Sequence, residues 1–159
     1  MSNIITEVRQ ALLARLGTIL TRNGYRTNIG GAVKAGWFNE IAKPGSVPAT
    51  GMVVVQRGKG KEPKAGAHEL MMHIGFSVIG AVTAGVEGYE PAIEDIELDL
   101  LQCLTPIDGV FVDWLPRGAP GLAVGAPDPY PPGDGLPAAT VLIPIHIRTI
   151  VEASGSTYP

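Results

Sequence analysis

The longest strand signal in the chain is residues 68–83, HELMMHIGFSVIGAVT. Apolar residues fill even-numbered positions of this stretch, at Leu70, Met72, Ile74, Phe76, Val78 and Val82. Because successive side chains of a β-strand point to opposite faces of a sheet, this alternation predicts one face packed on a core. The odd-numbered positions mix polar and apolar residues, so we expect the opposite face to be only partly covered.

A second strand is predicted immediately upstream, at residues 50–57, around the apolar run Met52-Val53-Val54-Val55. Between the two strands lie residues 57–67, RGKGKEPKAGA, which are too rich in Gly and Lys to bury themselves. We therefore expect residues 57–67 to be a mobile loop that closes a long antiparallel hairpin.

Two amphipathic helices are predicted, one at the start of the chain and one at residues 90–104. The first has Ser2 or Asn3 as its N-cap and ends at Asn23-Gly24, because these residues tolerate a left-handed conformation. The buried stripes repeat every three to four residues. They are Ile4, Ile5, Val8, Leu12, Leu16, Ile19 and Leu20 in the first helix and Ile93, Ile96, Leu100 and Leu104 in the second, with Leu98 and Leu101 widening the second.

Shorter elements are predicted between these. Residues 25–34 are expected to be extended, with Gly30-Gly31 weakening the middle or marking a bulge. Residues 39–48 are expected to be a polar connection, and residues 109–114 a strand.

The last strand is predicted at residues 140–151. Its buried face is formed by Val141, Ile143, Ile145 and Ile147. Pro144 has no N–H to donate to a neighbouring strand, so we expect this strand at a sheet edge or with a bulge.

The order of elements predicts an α+β fold, with a mainly antiparallel sheet of four to five strands and two helices packed against it. Residues 1–151 are expected to form a single domain. Within it, residues 116–137 hold seven of the fourteen prolines and are predicted to be a Pro/Gly-rich loop insertion. Residues 152–159 are expected to be a loose tail.

Charge is distributed unevenly along the chain. Residues 1–64 carry ten of the twelve Lys and Arg against three acids, a balance of +7, whereas residues 65–159 have a balance of −10. Such a split concerns partners and association rather than fold. It predicts recognition of something charged, which includes another copy of the chain; the alternative is that the two halves mix on the folded surface.

Binding to nucleic acid is a minor hypothesis. The basic residues of segment 57–64 would supply phosphate contacts, but the segment has no interleaved aromatic residues and the net charge of the protein is −3. Docking of this segment on an acidic protein surface is easier to support.

No catalytic, metal or cofactor site is predicted from the residues alone. His68 and His73 lie an odd number of residues apart on one predicted strand, so they point to opposite faces and cannot share a metal. His146 alternates with the apolar residues of the last strand, and all three histidines are interpreted as ordinary sheet residues. Cys103 lies among leucines late in the second helix, which is typical of an inert packed thiol.

The acids of the second helix are interpreted as a solvated face or an electrostatic contact surface rather than a metal site, because they spread around the helix. They are Glu90, Glu94, Asp95, Glu97 and Asp99. The sequence also favours a soluble protein of a reducing cytoplasm. Its one cysteine cannot form an internal disulfide, and residues 1–22 lack the apolar run of a signal peptide.

A further pattern is the order of the elements together with their local sequences. The relevant parts are the opening helix running into Asn23-Gly24-Tyr25, residues 53–56 with the Gly/Lys-rich loop, the strand 70–82, the helix containing Ala92-Ile93-Glu94-Asp95-Ile96, and the strand 141–147. This order resembles the tail terminator and minor tail proteins of long-tailed bacteriophages, the lambda-like terminators among them. Residues 116–137 depart from the simplest form of that pattern.

The resemblance implies a structural role in a virion, assembled in the host cytoplasm. Such proteins form a ring, usually a hexamer, at the head-proximal end of the tail tube, where they stop tube polymerisation and present a surface for head joining. It implies no enzyme activity, no cofactor and no membrane. The implied partners are further copies of the chain, the tail tube protein and a head connector or neck protein, with DNA passing the lumen without sequence-specific binding.

For such a ring we expect the charged segments to be contact surfaces. Arg57, Lys59, Lys61 and Lys64 would contact a neighbouring subunit or the tail tube. Glu90, Glu94, Asp95 and Glu97 would face the adjacent subunit or the ring exterior. A ring needs unlike patches to meet, and charge would orient them while apolar contacts hold them.

Two alternatives stay open at this point. One is a head-completion or neck connector subunit, which shares the same element order. The other is a small cytoplasmic enzyme with a scattered site, using His73, His146 and an acid. A pocket that unites the two histidines with an acid of shifted pKa would favour the enzyme.

Overall fold

A computed structural model describes residues 3–107, 111–133 and 135–152. In these residues, three helices pack with one seven-stranded sheet. The helices are α1 (Ile4–Leu16), α2 (Phe38–Ile41) and α3 (Glu90–Leu104). The strands are β1 (Val33–Ala35), β2 (Met52–Arg57), β3 (Lys61–Ala65), β4 (Glu69–Thr83), β5 (Gly121–Val124), β6 (Asp128–Tyr130) and β7 (Ala138–Glu152).

The sheet has the order β1-β2-β4-β7-β5, with β3 also paired to β4 and β6 also paired to β7. All pairs are antiparallel except β1 with β2, which are parallel. The predicted α+β class is confirmed. The predicted count of four to five strands is wrong, because short strands formed in segments that we expected to be loops.

The centre of the sheet is the pair β4–β7, fifteen residues in each strand, in register from Glu69 opposite Glu152 to Thr83 opposite Ala138. The alternation predicted for β4 is confirmed, since Ile74, Phe76 and Val78 are buried on the face covered by α1 and α3. The stripe of β7 joins the same core, at Val141, Ile143, Ile145 and Ile147. We call this side of the sheet the inner face.

The predicted hairpin is confirmed by the pairing of β2 with β4, from Met52 opposite Ala81 to Arg57 opposite Phe76. The mobile loop predicted at residues 57–67 is wrong in part, because β3 lies within it and pairs with the start of β4. An exposed strand needs only a backbone partner and no buried side chains, and the length of β4 supplies that partner. Between β2 and β3 the chain bulges, and the N–H of Gly58 donates to the oxygen of Gly75 at 2.9 Å.

The insertion predicted at residues 116–137 also contains strands, since β5 and β6 pair in succession along β7. For this reason β7 lies inside the sheet, so the edge position, one of the two alternatives expected from Pro144, is wrong. The oxygen of Pro144 accepts the N–H of Gly125 at 2.7 Å, just beyond the end of β5. The N and O of one strand residue face the same neighbour, so the missing N–H of Pro144 falls in the gap between β5 and β6.

Helix α1 begins as predicted, with the side chain of Asn3 accepting the N–H of Thr6 at 2.8 Å. It ends at Leu16 rather than at residues 23–24. Beyond Leu16 the chain leaves the helix and pairs with a later segment, since the oxygen of Ile19 accepts the N–H of Gly30 at 2.8 Å. A short 3₁₀ turn then ends at the left-handed Gly24, with φ of 93°.

Three other segments differ from the prediction. Residues 29–31 form a 3₁₀ turn before β1 instead of an extended stretch, and α2 overlaps the start of the connection predicted at residues 39–48. Of the strand predicted at residues 109–114, positions 109 and 110 lie outside the described residues. Phe111 makes only an isolated bridge to Gly121. The tail predicted at residues 152–159 lies outside the described part of the chain apart from Glu152, which ends β7.

The outer face of the sheet is covered unevenly. Segment 38–48 packs on one part of it and forms a second, smaller core with Met52, Val54 and Ala81. Along β7 the outer face is more open, since Leu142, Pro144 and His146 are half-buried and Arg148 is exposed. Among the described helices, none combines the length and apolar character needed to cross a membrane.

Candidate functional site

The charged residues expected at contact surfaces lie on two sides of the domain. Lys61 is opposite His73 and Lys64 is opposite Met71, which places both lysines on the outer face of the sheet. The acids of α3 lie on a helix that packs against the inner face. Lys61 and Lys64 therefore lie on the opposite side of the sheet from the acidic helix.

Arg57 lies apart from the two lysines. Its guanidinium is 5.6 Å from the ring centre of Phe76, on the inner side, and that of Arg9 is 5.8 Å from the same ring. Both arginines line a groove of about 330 Å³ beside Trp37, whose surface is 54% exposed. The basic segment predicted as one unit is thus divided between two surfaces, because β2 and β3 are separated by a bulge.

A concavity on the outer face collects four basic side chains. It has a volume of about 220 Å³, and we call it the basic pocket. Its lining residues are Lys61, His73, Gly121, Leu122, Ala123, His146 and Arg148. The register explains the convergence, since Lys61 pairs with His73, His73 with Arg148, and Arg148 with Gly121.

Glycines make room for this pocket. His146 is opposite Gly75 and Arg148 is opposite Gly121, so neither basic side chain has a bulky cross-strand neighbour at those positions. At Gly75 a Cβ atom would overlap the oxygen of Lys59, which lies against it in the bulge. The bulge is also held by a hydrogen bond of 3.1 Å between Nε2 of His146 and the oxygen of Lys59.

The electrostatics of the pocket are those of an anion site. Partial burial lowers the pKa of His73, and the neighbouring Lys61, His146, Arg148 and Lys64 lower it further. Because a carbonyl oxygen only accepts hydrogen bonds, the contact with Lys59 requires a proton on Nε2 of His146. No acidic residue lines the pocket within the described residues.

His73 and His146, which the enzyme alternative would use together, do meet in this pocket. The acid that the enzyme alternative adds to the two histidines is not among the lining residues in the described chain. Among described residues there is also no cluster of three or more His, Cys, Asp or Glu able to hold a metal ion. The arrangement suits electrostatic binding of an anion.

The second charged surface is the acidic face of α3, formed by Glu90, Glu94, Asp95 and Glu97. The first three are exposed and Glu97 is half-buried. Within the described chain none of the four forms an ion pair with a lysine or arginine. Leu98, predicted to widen the buried stripe, is 43% exposed beside these acids, so that prediction is wrong.

Asp99 belongs to a different environment from the other acids of α3, and its assignment to a solvated face is wrong. Its carboxylate is fully buried and accepts the N–H of Thr27 at 2.8 Å, the hydroxyl of Thr27 at 2.7 Å and the N–H of Arg26 at 3.0 Å. The guanidinium of Arg26 adds an ion pair at 3.2 Å. Asp99 therefore anchors residues 26–27 to α3, which is a structural role.

The packed state predicted for Cys103 is confirmed. The thiol is buried and lies 3.3 Å from the oxygen of Arg15, to which it donates. Burial raises the pKa of Cys103, which keeps the thiol protonated and unreactive.

No protein-family model matches the chain, and no curated protein matches its sequence. Among solved structures, the chain is similar to one from the virion of a native gene transfer agent (GTA) particle. The two share 18% sequence identity with a TM-score of 0.52, and the match covers 93% of this chain and 95% of the other. The similarity at this identity is one of fold, and it extends over nearly the whole length of both chains.

Proposed function

We propose that the chain is a structural subunit of a virion. The observation that carries this proposal is the fold shared with a chain of the gene transfer agent virion over 93% of this sequence. A match of that extent involves the sheet and the helices together rather than one local motif. The basic pocket and the acidic face support an assembly role, since both are surfaces suited to charged partners.

The more specific proposal is a tail terminator that forms a hexameric ring at the head-proximal end of the tail tube. Such a ring requires a heterologous contact, in which one patch of a subunit meets a different patch of its neighbour. Support comes from the order of elements in the sequence and from the placement of the basic and acidic surfaces on opposite sides of the sheet.

In this ring Lys59, Lys61 and Lys64 contact a neighbouring subunit or the tail tube, and Arg57 does so from the groove beside Trp37. The acidic face of α3 meets the adjacent subunit or the ring exterior. Further partners are the tail tube protein and a head connector or neck protein. DNA passes the lumen without sequence-specific contacts, and no cofactor takes part.

The test is to add the purified protein to growing tail tubes of the same virus and to measure tube length by electron microscopy. A terminator stops growth and leaves a ring at one end of each tube. Tubes that grow to the same length as without the protein would contradict the terminator role. Binding to the head connector without any effect on tubes would instead assign the chain as a neck subunit.

A second measurement examines the expected contact residues. The triple change Lys59→Glu, Lys61→Glu, Lys64→Glu is expected to abolish tube capping, because it reverses the charge along one edge of the outer face. The matched control is Lys34→Glu with Lys43→Glu, two exposed lysines outside this edge, which are expected to leave capping intact. Unchanged capping by the triple variant would rule out these contacts.

A further inference from the structure

The basic pocket holds more positive charge than the structure around it neutralises. Neither Lys61 nor Arg148 forms an ion pair with an acid among residues 3–107, 111–133 and 135–152. Arg148 presents a planar guanidinium, which binds an oxyanion such as a carboxylate through two parallel hydrogen bonds. Protonated His73 would add a donor on the same side, so the pocket is built to take an acidic group.

The acidic face of α3 carries the complementary chemistry. Glu94 and Asp95 are exposed carboxylates without Lys or Arg partners in the described chain, and Leu98 stands beside them 43% exposed. The pocket offers a small exposed apolar surface next to its cations, at Ala123. A contact between the two surfaces would pair carboxylates with cations and cover Leu98 at the same time.

We propose that the basic pocket is a carboxylate-binding site and that its occupant is the acidic face of α3 from a second copy of the chain. The two surfaces lie on opposite sides of the sheet, so a single partner cannot contact the basic pocket and the acidic face of one molecule at the same time. Contact is therefore head to tail, and each added copy leaves one pocket and one acidic face free for the next. This inference rests on the proposed function, because it names the contact between copies that a ring requires.

A protein carboxylate fits the pocket better than the phosphates of nucleic acid. The pocket is about 220 Å³, which accommodates a few side-chain groups. Its lining has no Phe, Tyr or Trp on which bases could stack within the described chain. The protein carries a net charge of −3, which opposes association with a polyanion.

The test is a charge swap, read by sedimentation equilibrium of the purified full chain. Arg148→Glu alone and Glu94→Arg alone are each expected to weaken self-association about tenfold or more, because each places like charges at the contact. The double variant is expected to recover most of the lost affinity. The matched control is Arg22→Glu, an exposed arginine outside the pocket, which is expected to associate as the original chain does.

Two results would overturn the proposal. The first is a double variant that associates no better than the single variants, provided that urea unfolding shows all of them to be folded. The second is duplex DNA that binds the original chain and is released by Arg148→Glu in fluorescence anisotropy, which would make the pocket a phosphate site.

The same variants test the contact at the basic pocket and the terminator role separately. Tube capping that persists unchanged in Arg148→Glu contradicts the pocket contact and leaves the terminator role standing. A successful charge swap in a protein that never stops tube growth supports the contact and contradicts the terminator role.

Discussion

The two faces of the sheet share the long strands β4 and β7, yet their physical character is opposite. On the inner face, Phe76, Ile143 and Ile145 are buried under α1 and α3. On the outer face, His73, His146 and Arg148 surround a concavity open to solvent. The alternation of side chains along these two strands therefore buries one face of the sheet under helices, while the part of the other face around the basic pocket stays accessible to a partner.

The largest expected difference between the two faces comes from truncating neighbouring side chains of β7. Ile143→Ala on the inner face is expected to lower the free energy of unfolding by about 2–5 kcal/mol, because it leaves a cavity in the core. Leu142→Ala, next to it on the half-buried outer face, is expected to cost about 1 kcal/mol or less. Urea unfolding measures both, and equal losses would contradict the assignment of the faces.

The acids of α3 offer a similar comparison along one helix. Asp99→Ala is expected to cost about 2–4 kcal/mol, because it removes the acceptor of two backbone N–H groups and the partner of Arg26. Asp95→Ala, exposed on the same helix, is expected to change stability by about 0.5 kcal/mol or less. The account of Asp99 as an anchor fails if the two variants unfold at the same urea concentration.

Much of this two-sided arrangement was predictable from sequence, because it depends on local periodicity. The alternation of residues 68–83 and the stripe of α3 predicted the inner face correctly. The basic pocket was not predictable, since it depends on the register that places His73 opposite Arg148. Register is set by tertiary packing, and the sequence around the three histidines does not indicate which residues lie opposite them.

The short strands were missed for a related reason. Segments β3 and β6 are exposed along their whole length and contain prolines, so their sequences indicate loops. They are strands because β4 and β7 extend far enough to offer them backbone partners. Asp99 was misassigned because its burial depends on Thr27, which is distant in sequence.

A substitution at the bulge beside the pocket is expected to have a smaller effect on stability. Gly75→Ala places a Cβ against the oxygen of Lys59 and is expected to cost about 1–3 kcal/mol. Gly31→Ala, where a Cβ would meet nothing within 4 Å, serves as the control. Urea unfolding measures both variants. If Gly75→Ala is no more destabilising than Gly31→Ala, the oxygen of Lys59 does not lie against Gly75 as described.

The smallest expected effect is a pH dependence of self-association. Partial burial and the neighbouring cations hold the pKa of His73 below its usual value, so the residue gains its proton only in acidic solution. That added charge favours carboxylate binding, and we expect association to strengthen by a factor of a few as the pH falls through the acidic range in which His73 gains its proton. His73→Gln should flatten this dependence in sedimentation experiments, and an unchanged profile would remove His73 from the contact.

The proposed contact between the basic pocket and the acidic face of α3 is tested most directly by disulfide trapping between these two surfaces. Leu98→Cys labels the acidic face and Ala123→Cys labels the pocket, while Cys103 is buried and does not interfere. A mixture of the two variants is expected to cross-link under mild oxidation, and the double variant is expected to give a ladder of oligomers. Contradiction would come from a mixture that stays monomeric, or from Leu98→Cys alone cross-linking as efficiently as the mixture.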